Sequence, residues 1–207
     1  MIPKKIHYCW FGGNPLPDDV KKYIESWKKY CPDYEIIRWD ESNYDIHKNR
    51  YVEQAYKEEK WAFLTDYVRL DVIYEHGGIY LDSDVELIKS LDALLKDKCY
   101  MGMEQIGTVA TGLGFGAEAK HPFLKENMKY YESEKNFWKD GKFSPPICVK
   151  ITTQLLKEYG LLKENKIQNI RNVTIYPTDY FCPLKMGTNK LTITKNTYSI
   201  HHYAASW

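Results

Sequence analysis

The sequence predicts an α/β domain with a mostly parallel central sheet flanked by helices, and three observations predict it. Near the N-terminus an apolar strand, an amphipathic helix and a second strand follow one another at the spacing of a crossover unit. Further on, a long helical stretch stops at Gly77-Gly78 and runs at once into a short apolar strand. The 207 residues hold no internal repeat, low-complexity tract or linker, so a single domain over 1–207 is expected.

Each element has its own signal. Lys4 to Trp10 is an apolar and aromatic run closed by Gly12-Gly13 and two prolines, the pattern of a buried strand ending in a loop. After Pro17-Asp18, the residues Val20, Tyr23, Ile24 and Trp27 share one helical face, and Cys31-Pro32-Asp33 stops that helix. Tyr34 to Trp39 reads as the second strand. Tyr51 to His76 is the longest helical region, broken near Glu59-Lys60, and the glycine pair after it can take the left-handed conformation that ends a helix. Ile79 to Leu81 is a strand, Asp82-Ser83-Asp84 follows it, and Val85 to Ile88 is a further strand. Strands are also expected at Tyr100 to Glu104, Gly112 to Ala117 and Tyr198 to His202, and helices at Phe123 to Glu134 and Lys150 to Tyr159.

Composition narrows the function classes. Hydrophobic residues at 43% and charged residues at 28% exclude disorder as the main state. Lys and Arg number 29 against 28 Asp and Glu, so a formal charge of +1 gives no field for nucleic acid. Aromatics reach 15%, and rings with a polar edge suit sugars and bases as well as cores. The N-terminus lacks the apolar run of a signal peptide, and no stretch approaches the roughly 18 apolar residues of a membrane span. Five scattered cysteines without a CxxC pair fit neither a disulfide framework nor a zinc site, so a reducing cytoplasm is the expected compartment.

Two charged groups stand out. Asp82 and Asp84 are two positions apart, so an extended segment would turn both carboxylates to one side with α-carbons about 7 Å apart. Such a pair suits Mg²⁺ or Mn²⁺, which take oxygen ligands and keep positions open for phosphate. A bare D-x-D is more often a polar turn. Here the apolar strand before it delivers the carboxylates to the carboxyl edge of a sheet, where open α/β folds bind ligands. An EF-hand loop from Asp82 fails, since Leu87 and Ala93 stand where Gly and Glu are needed. A haloacid-dehalogenase-like phosphatase motif fails as well, because Glu86 replaces its Thr or Val and the motif comes late in the chain. Asp66 and Arg69 share a helix face one turn apart, beside apolar Ala62, Leu70 and Ile73, which asks for more than a surface ion pair. Of four arginines only Arg69 leads into Asp82, and a guanidinium suits diphosphate, ribose or sugar oxygens.

Three segments, IPKKIHYCWFGG, AFLTDYVRLDVIYEHGGIYLDSD and YSIHHYAASW, resemble the retaining glycosyltransferases of family 32, a GT-A-fold group that includes capsular polysaccharide transferases and is distantly similar to the glucosylating clostridial toxins. The resemblance implies that Trp10, with Phe11 beside it, stacks on a nucleotide base. It implies that Asp66, Arg69, Tyr80 and Asp82 bind the donor's ribose and sugar, with Asp82, Asp84 and Arg69 as the catalytic group. Asp84 and His201 would hold Mn²⁺ or Mg²⁺, with His202 as the fallback ligand, and Ser206 and Trp207 would close over the donor phosphate as a lid. Residues 1–90 would form the nucleotide-sugar half and 91–207 the acceptor half, where Glu104, Gln105 and Asp140 are acceptor-side candidates. The expected activity is transfer of a hexose from a nucleotide sugar, UDP-linked by preference, to a glycan or lipid-linked saccharide in polysaccharide biosynthesis. A cytoplasmic location, with peripheral association at the inner face of the membrane as an option, fits that chemistry. A metal-dependent nucleotide-sugar hydrolase or phosphodiesterase would use the same carboxylates with water. A carbohydrate-binding protein without turnover would use the aromatics alone and leave the charged groups unexplained.

Overall fold

The run KIHYC becomes the strand β1 (Lys5–Cys9), and its side chains meet a core on both sides: Ile6 and Tyr8 enter one apolar cluster, Cys9 the other. In the computed structural model, which describes residues 1–185, 187–188 and 190–204, β1 pairs in parallel with β2 (Glu35–Trp39) and with β3 (Gly78–Tyr80). The sheet continues through β5 (Cys99–Gln105), β7 (Phe115–Ala117), β10 (Gln168–Ile170) and β11 (Val173–Tyr176) in the order β10-β11-β5-β7-β3-β1-β2, with β6 (Thr108–Ala110) on β5. Strands β1, β2, β3, β5 and β11 run one way, while β6, β7 and β10 run the other, so the sheet is mixed with a parallel majority.

Helices cover both faces. On one side lies α1 (Asp18–Tyr30), buried through Val20, Ile24 and Trp27, together with the short α6 (Thr178–Phe181). On the other lie α2 (Arg50–Lys57), α3 (Trp61–His76), α4 (Pro122–Lys129) and α5 (Cys148–Glu158). The break near Glu59-Lys60 separates α2 from α3 as expected, and Asn49 caps α2 by accepting from the Val52 N–H at 2.9 Å. Every residue of α3 from Leu64 to Ile73 is buried, the condition of a helix wrapped by sheet and neighbouring helices. Its Asp71 is therefore structural, held by the Lys48 ammonium at 2.6 Å and the Tyr44 hydroxyl at 2.8 Å.

The junction between α3 and β3 depends on glycine. Gly77 and Gly78 have φ of +64° and +109°, and a Cβ at Gly78 would stand 2.9 Å from the His7 ring and from the Lys5 carbonyl. His7 is fixed in one tautomer: Trp39 donates to its Nδ1 at 3.0 Å, so its Nε2–H donates to the Gly77 carbonyl at 3.0 Å. Burial pushes the His7 ring down to about 4, keeping it neutral.

Beyond β3 the chain makes β4 (Val85–Leu87), which pairs antiparallel with β12 (Ser199–His201), 112 positions or more downstream, placing His201 opposite Val85. Helix α1 holds this ribbon: the Trp27 indole donates to the Val85 carbonyl at 2.8 Å, and the Leu87 N–H donates to Ser26 Oγ at 2.9 Å.

Several boundaries differ from expectation. The strand expected at Gly112 to Ala117 begins only at Phe115, because Thr111 to Leu113 form a 3-10 turn. Strands β10 and β11 and helix α6 lacked a sequence signal, being three or four residues each and meeting their partners only in three dimensions. The same holds for the small hairpin of β8 (Trp138–Lys139) and β9 (Lys142–Phe143). Asp82-Ser83-Asp84 is not extended: the Val85 N–H donates to the Asp82 carbonyl at 3.0 Å, closing a turn.

Candidate active site

The turn after β3 and the end of β12 bring three ligating side chains together. His201 Nε2 lies 3.4 Å from Asp84 Oδ1 and 3.7 Å from Asp82 Oδ2, all three residues buried. The ribbon pairing continues past the strand, with the His202 N–H donating to the Asp84 carbonyl at 3.1 Å and the Ala204 N–H to Asp84 Oδ2 at 2.8 Å. His202 faces elsewhere: its Nε2 is 2.9 Å from Glu86 Oε2 and its ring stacks on Tyr23 at 4.6 Å. Alternation along the chain therefore gives the inward position to His201 and removes the fallback.

Arg69 forms the second layer. Its Nη2 is 3.2 Å from Asp66 Oδ1 and 3.3 Å from Asp82 Oδ1, while Nη1 reaches Asp82 Oδ2 at 3.5 Å. Thr65 fixes the fork by accepting from Nε through its carbonyl at 3.0 Å and from Nη2 through its hydroxyl at 3.1 Å. The guanidinium carbon sits 5.1 Å above the ring of Tyr80, which is buried beneath the site beside Arg69 and Asp82. Asp66 also accepts at 3.3 Å from the backbone N–H of Cys148, the first residue of α5.

The charges respond to this enclosure. Burial pushes the Asp66 carboxyl up to about 6, against the pull of Arg69. Burial works the same way on Asp82, but the Arg69 guanidinium and the His201 ring together hold it below the usual carboxylate range. For Asp84 burial prevails over His201, and the neighbouring Asp82 adds to it, so its carboxyl is raised. Burial would lower His201, yet Asp82, Asp84 and Glu104 outweigh it and favour the proton.

Asp82 Oδ1 and Asp84 Oδ1 make no hydrogen bond and are compensated through the Arg69 guanidinium at 3.3 Å and the His201 ring at 3.4 Å, so each keeps lone pairs open to a further ligand. Two such oxygens beside an imidazole are a donor set that fits Mn²⁺ or Mg²⁺, the ions expected from the sequence.

Around this cluster lies a cleft of about 240 Å³ whose walls include Asp66, Arg69, Asp82, Glu104, Gly112, His201 and Tyr203. A second, narrower cleft of about 110 Å³ is lined by Trp10, Phe11, Trp61 and Thr65, so Thr65 and Asp66 on α3 separate the two. Trp10 is 6% exposed and its indole donates to the Asn14 carbonyl at 2.7 Å, while Phe11 packs edge-on against Tyr44. Trp61 is half-buried and stands against Gly12. The sequence reading missed Trp61, Gly112 and Tyr203; Trp61 was legible as an aromatic after the helix break at Glu59-Lys60, but its place beside Gly12 is set by the fold, and the other two carried no signal. Glu104 reaches the cleft, Gln105 lies just outside it, and Asp140 sits exposed in the β8–β9 turn, on the wall of neither cleft. Ser206 and Trp207 lie outside the described residues.

Comparison with known proteins adds the family. The family model for the glycosyltransferase sugar-binding region containing the DXD motif matches residues 17–101, which hold Asp66, Arg69, Asp82 and Asp84. An uncharacterized glycosyltransferase of Acanthamoeba polyphaga mimivirus is 33% identical over 222 residues, covering 100% of this chain and 84% of its own. Inositol phosphoceramide mannosyltransferase 3 of Schizosaccharomyces pombe is 32% identical over 136 residues, 62% of this chain, and the match spans only 36% of that relative's length. Among solved structures, the PaToxG glycosyltransferase superposes with a TM-score of 0.58 at 20% identity, over 76% of this chain and 69% of its own. The buried D-x-D on a mixed α/β sheet is thus set in its context: the chain belongs to the family-32-like glycosyltransferases with a DXD sugar-binding region, and its fold is GT-A.

Proposed function

We propose that the protein transfers a hexose from a nucleotide sugar, UDP-linked, to a saccharide or lipid-linked saccharide with retention at the anomeric carbon. The observation that carries this reading is the buried cluster of Asp82, Asp84 and His201 beside Arg69 at the end of β3. Asp84 and His201 would hold Mn²⁺ or Mg²⁺, which would supply Lewis-acid stabilisation of diphosphate charge. Asp82, positioned by Arg69, accepts from donor hydroxyls, and Asp66 does the same from the other side of the guanidinium. The narrow cleft of Trp10, Phe11 and Trp61 suits a single-ring base, which supports uracil. In the reaction the acceptor oxygen bonds to the anomeric carbon, the bond to the diphosphate breaks with its electron pair on the phosphate oxygen, and the acceptor proton leaves with that oxygen.

The 1–90 half would bind the donor and 91–207 the acceptor, with β12 returning His201 to the Asp82–Asp84 turn. Among the described residues no helix is long and apolar enough to cross a membrane. Peripheral association in the cytoplasm and a part in polysaccharide biosynthesis belong to the same proposal. The fungal relative's name, a mannosyltransferase acting on inositol phosphoceramide, supports a lipid-linked acceptor. The test is a panel of nucleotide sugars with Mn²⁺, following nucleoside diphosphate release and sugar transfer with and without chelator. Metal-dependent release with transfer is expected. Free sugar as the sole product would make the protein a hydrolase, and no release from any donor would end the reading.

A further inference from the structure

Next to the catalytic cleft lies a larger cavity of about 450 Å³, and the two share Glu104 and Tyr203 as a common wall. Glu104 stands where β5 ends, half-buried, with its Oε1 3.5 Å from the Tyr203 hydroxyl, whose other neighbour is Cys182 Sγ at 3.0 Å. The far wall carries Lys185 and Lys190. A hairpin holds them on the same side of the cavity: the Lys185 N–H donates to the Lys190 carbonyl at 3.1 Å, Leu184 pairs with Leu191, and the Thr192 N–H donates to the Pro183 carbonyl at 2.9 Å. Among the described residues neither ammonium is ion-paired with a carboxylate, so both are open to an anionic ligand. The cavity is therefore polarised, with a hydrogen-bond acceptor at its catalytic end and two lysines at the other.

We infer that this cavity is the acceptor subsite and that it takes a phosphorylated saccharide, with Glu104 accepting from the attacking hydroxyl and Lys185 and Lys190 binding the phosphate. The inference rests on the transfer reading above and names its acceptor class. A volume of about 450 Å³ lies within the roughly 300–1,000 Å³ range of small-ligand sites, enough for a saccharide unit with its phosphate. Lysine ammoniums bind phosphate as point charges and tolerate either a monoester or a diester. A hydroxyl set against Glu104 is next to the cleft that holds Asp82 and His201, the geometry that attack on a donor there requires.

The experiment titrates the protein, loaded with UDP and Mg²⁺, with glucose 6-phosphate and with glucose, reading affinity and amide shifts. Binding of the phosphate ester at least tenfold tighter, with shifts at residues 183–192, is expected. The variant Lys185→Glu/Lys190→Glu should bind the ester no better than glucose while melting like the wild type, since both side chains are exposed. A parallel arm sediments the protein with phosphatidylcholine vesicles with and without phosphatidylinositol. Lysine-dependent pelleting on the inositol lipid assigns the phosphate to a lipid headgroup, and soluble binding without pelleting assigns it to a free sugar phosphate. No preference for the phosphorylated ligand in either arm, or wild-type binding by the double variant, overturns the subsite. UDP binding and donor hydrolysis by the same preparations judge the transfer reading separately. Glu104→Gln should raise KM for a working acceptor; an unchanged KM removes Glu104 from the site.

Discussion

Gly112 sits in the 3-10 turn between β6 and β7, facing the charged cluster, and replacing it by alanine tests the site's geometry with one methyl group. An added Cβ would stand 2.5 Å from Asp82 Oδ2 and 3.2 Å from Arg69 Nη1. Contact at ordinary van der Waals distance requires the carboxylate to retreat by about 1 Å, and a misplacement of that size costs on the order of 10²-fold in rate. Asp82 cannot retreat freely, because Arg69 holds one side and His201 Nε2 stands 3.7 Å away on the other. The backbone φ at Gly112 is not in the left-handed region, so the substitution strains packing and not the chain. Overpacking of this kind destabilises by about 1–3 kcal/mol, which leaves a folded protein to assay. Steady-state kinetics with the working nucleotide sugar, metal titration and a thermal melt on Gly112→Ala should show kcat/KM down about 100-fold, weaker metal binding and a modestly lower Tm. Wild-type kcat/KM in a folded Gly112→Ala would refute the claim that Asp82 works from the position described here.

Three further outcomes follow from the same geometry. His201→Ala should abolish most divalent-ion affinity while His202→Ala leaves it within a few-fold, and calorimetric Mn²⁺ titration of the two variants would expose the reverse order. Trp61→Ala should weaken UDP binding by about 1–3 kcal/mol with little change in Tm, whereas Trp10→Ala, at 6% exposure, should also cost about 3–5 kcal/mol of stability; equal stability losses would count against this division. For Asp66 the folded carboxyl is raised from the usual 3.8 to about 6, so its contribution to stability is complete in acid and is lost as pH rises through about 6. That swing is worth roughly 3 kcal/mol, and urea melts of Asp66→Asn against pH should lack it; parallel pH profiles for the variant and the wild type would refute the assignment.

Local pattern made the Asp66-to-Asp84 part of the candidate site legible. Asp66 and Arg69 lie one helical turn apart, Gly77-Gly78 must end that helix, and Asp82 and Asp84 follow a strand too apolar to be exposed. These relations span fewer than twenty residues, within the reach of helix and strand periodicity. The inward choice between His201 and His202 was not legible, because it depends on the register of β12 against β4, two segments more than a hundred residues apart. Glu104 was one of three acceptor-side candidates with Gln105 and Asp140, and only β5, which carries it to the wall between two cavities, set it apart from the other two. Lys185 and Lys190 carried no sequence signal, and it is a hairpin that brings both to the wall of one cavity. By itself the sequence determined the sheet's first three strands, the central helix and the identity of the acidic cluster, since those are set by side-chain period and by glycine's freedom at positive φ. Only the tertiary structure decided which distant groups complete the cluster and where an acceptor can lie, because strand order and register are settled by burial across the whole sheet and not by neighbours along the chain.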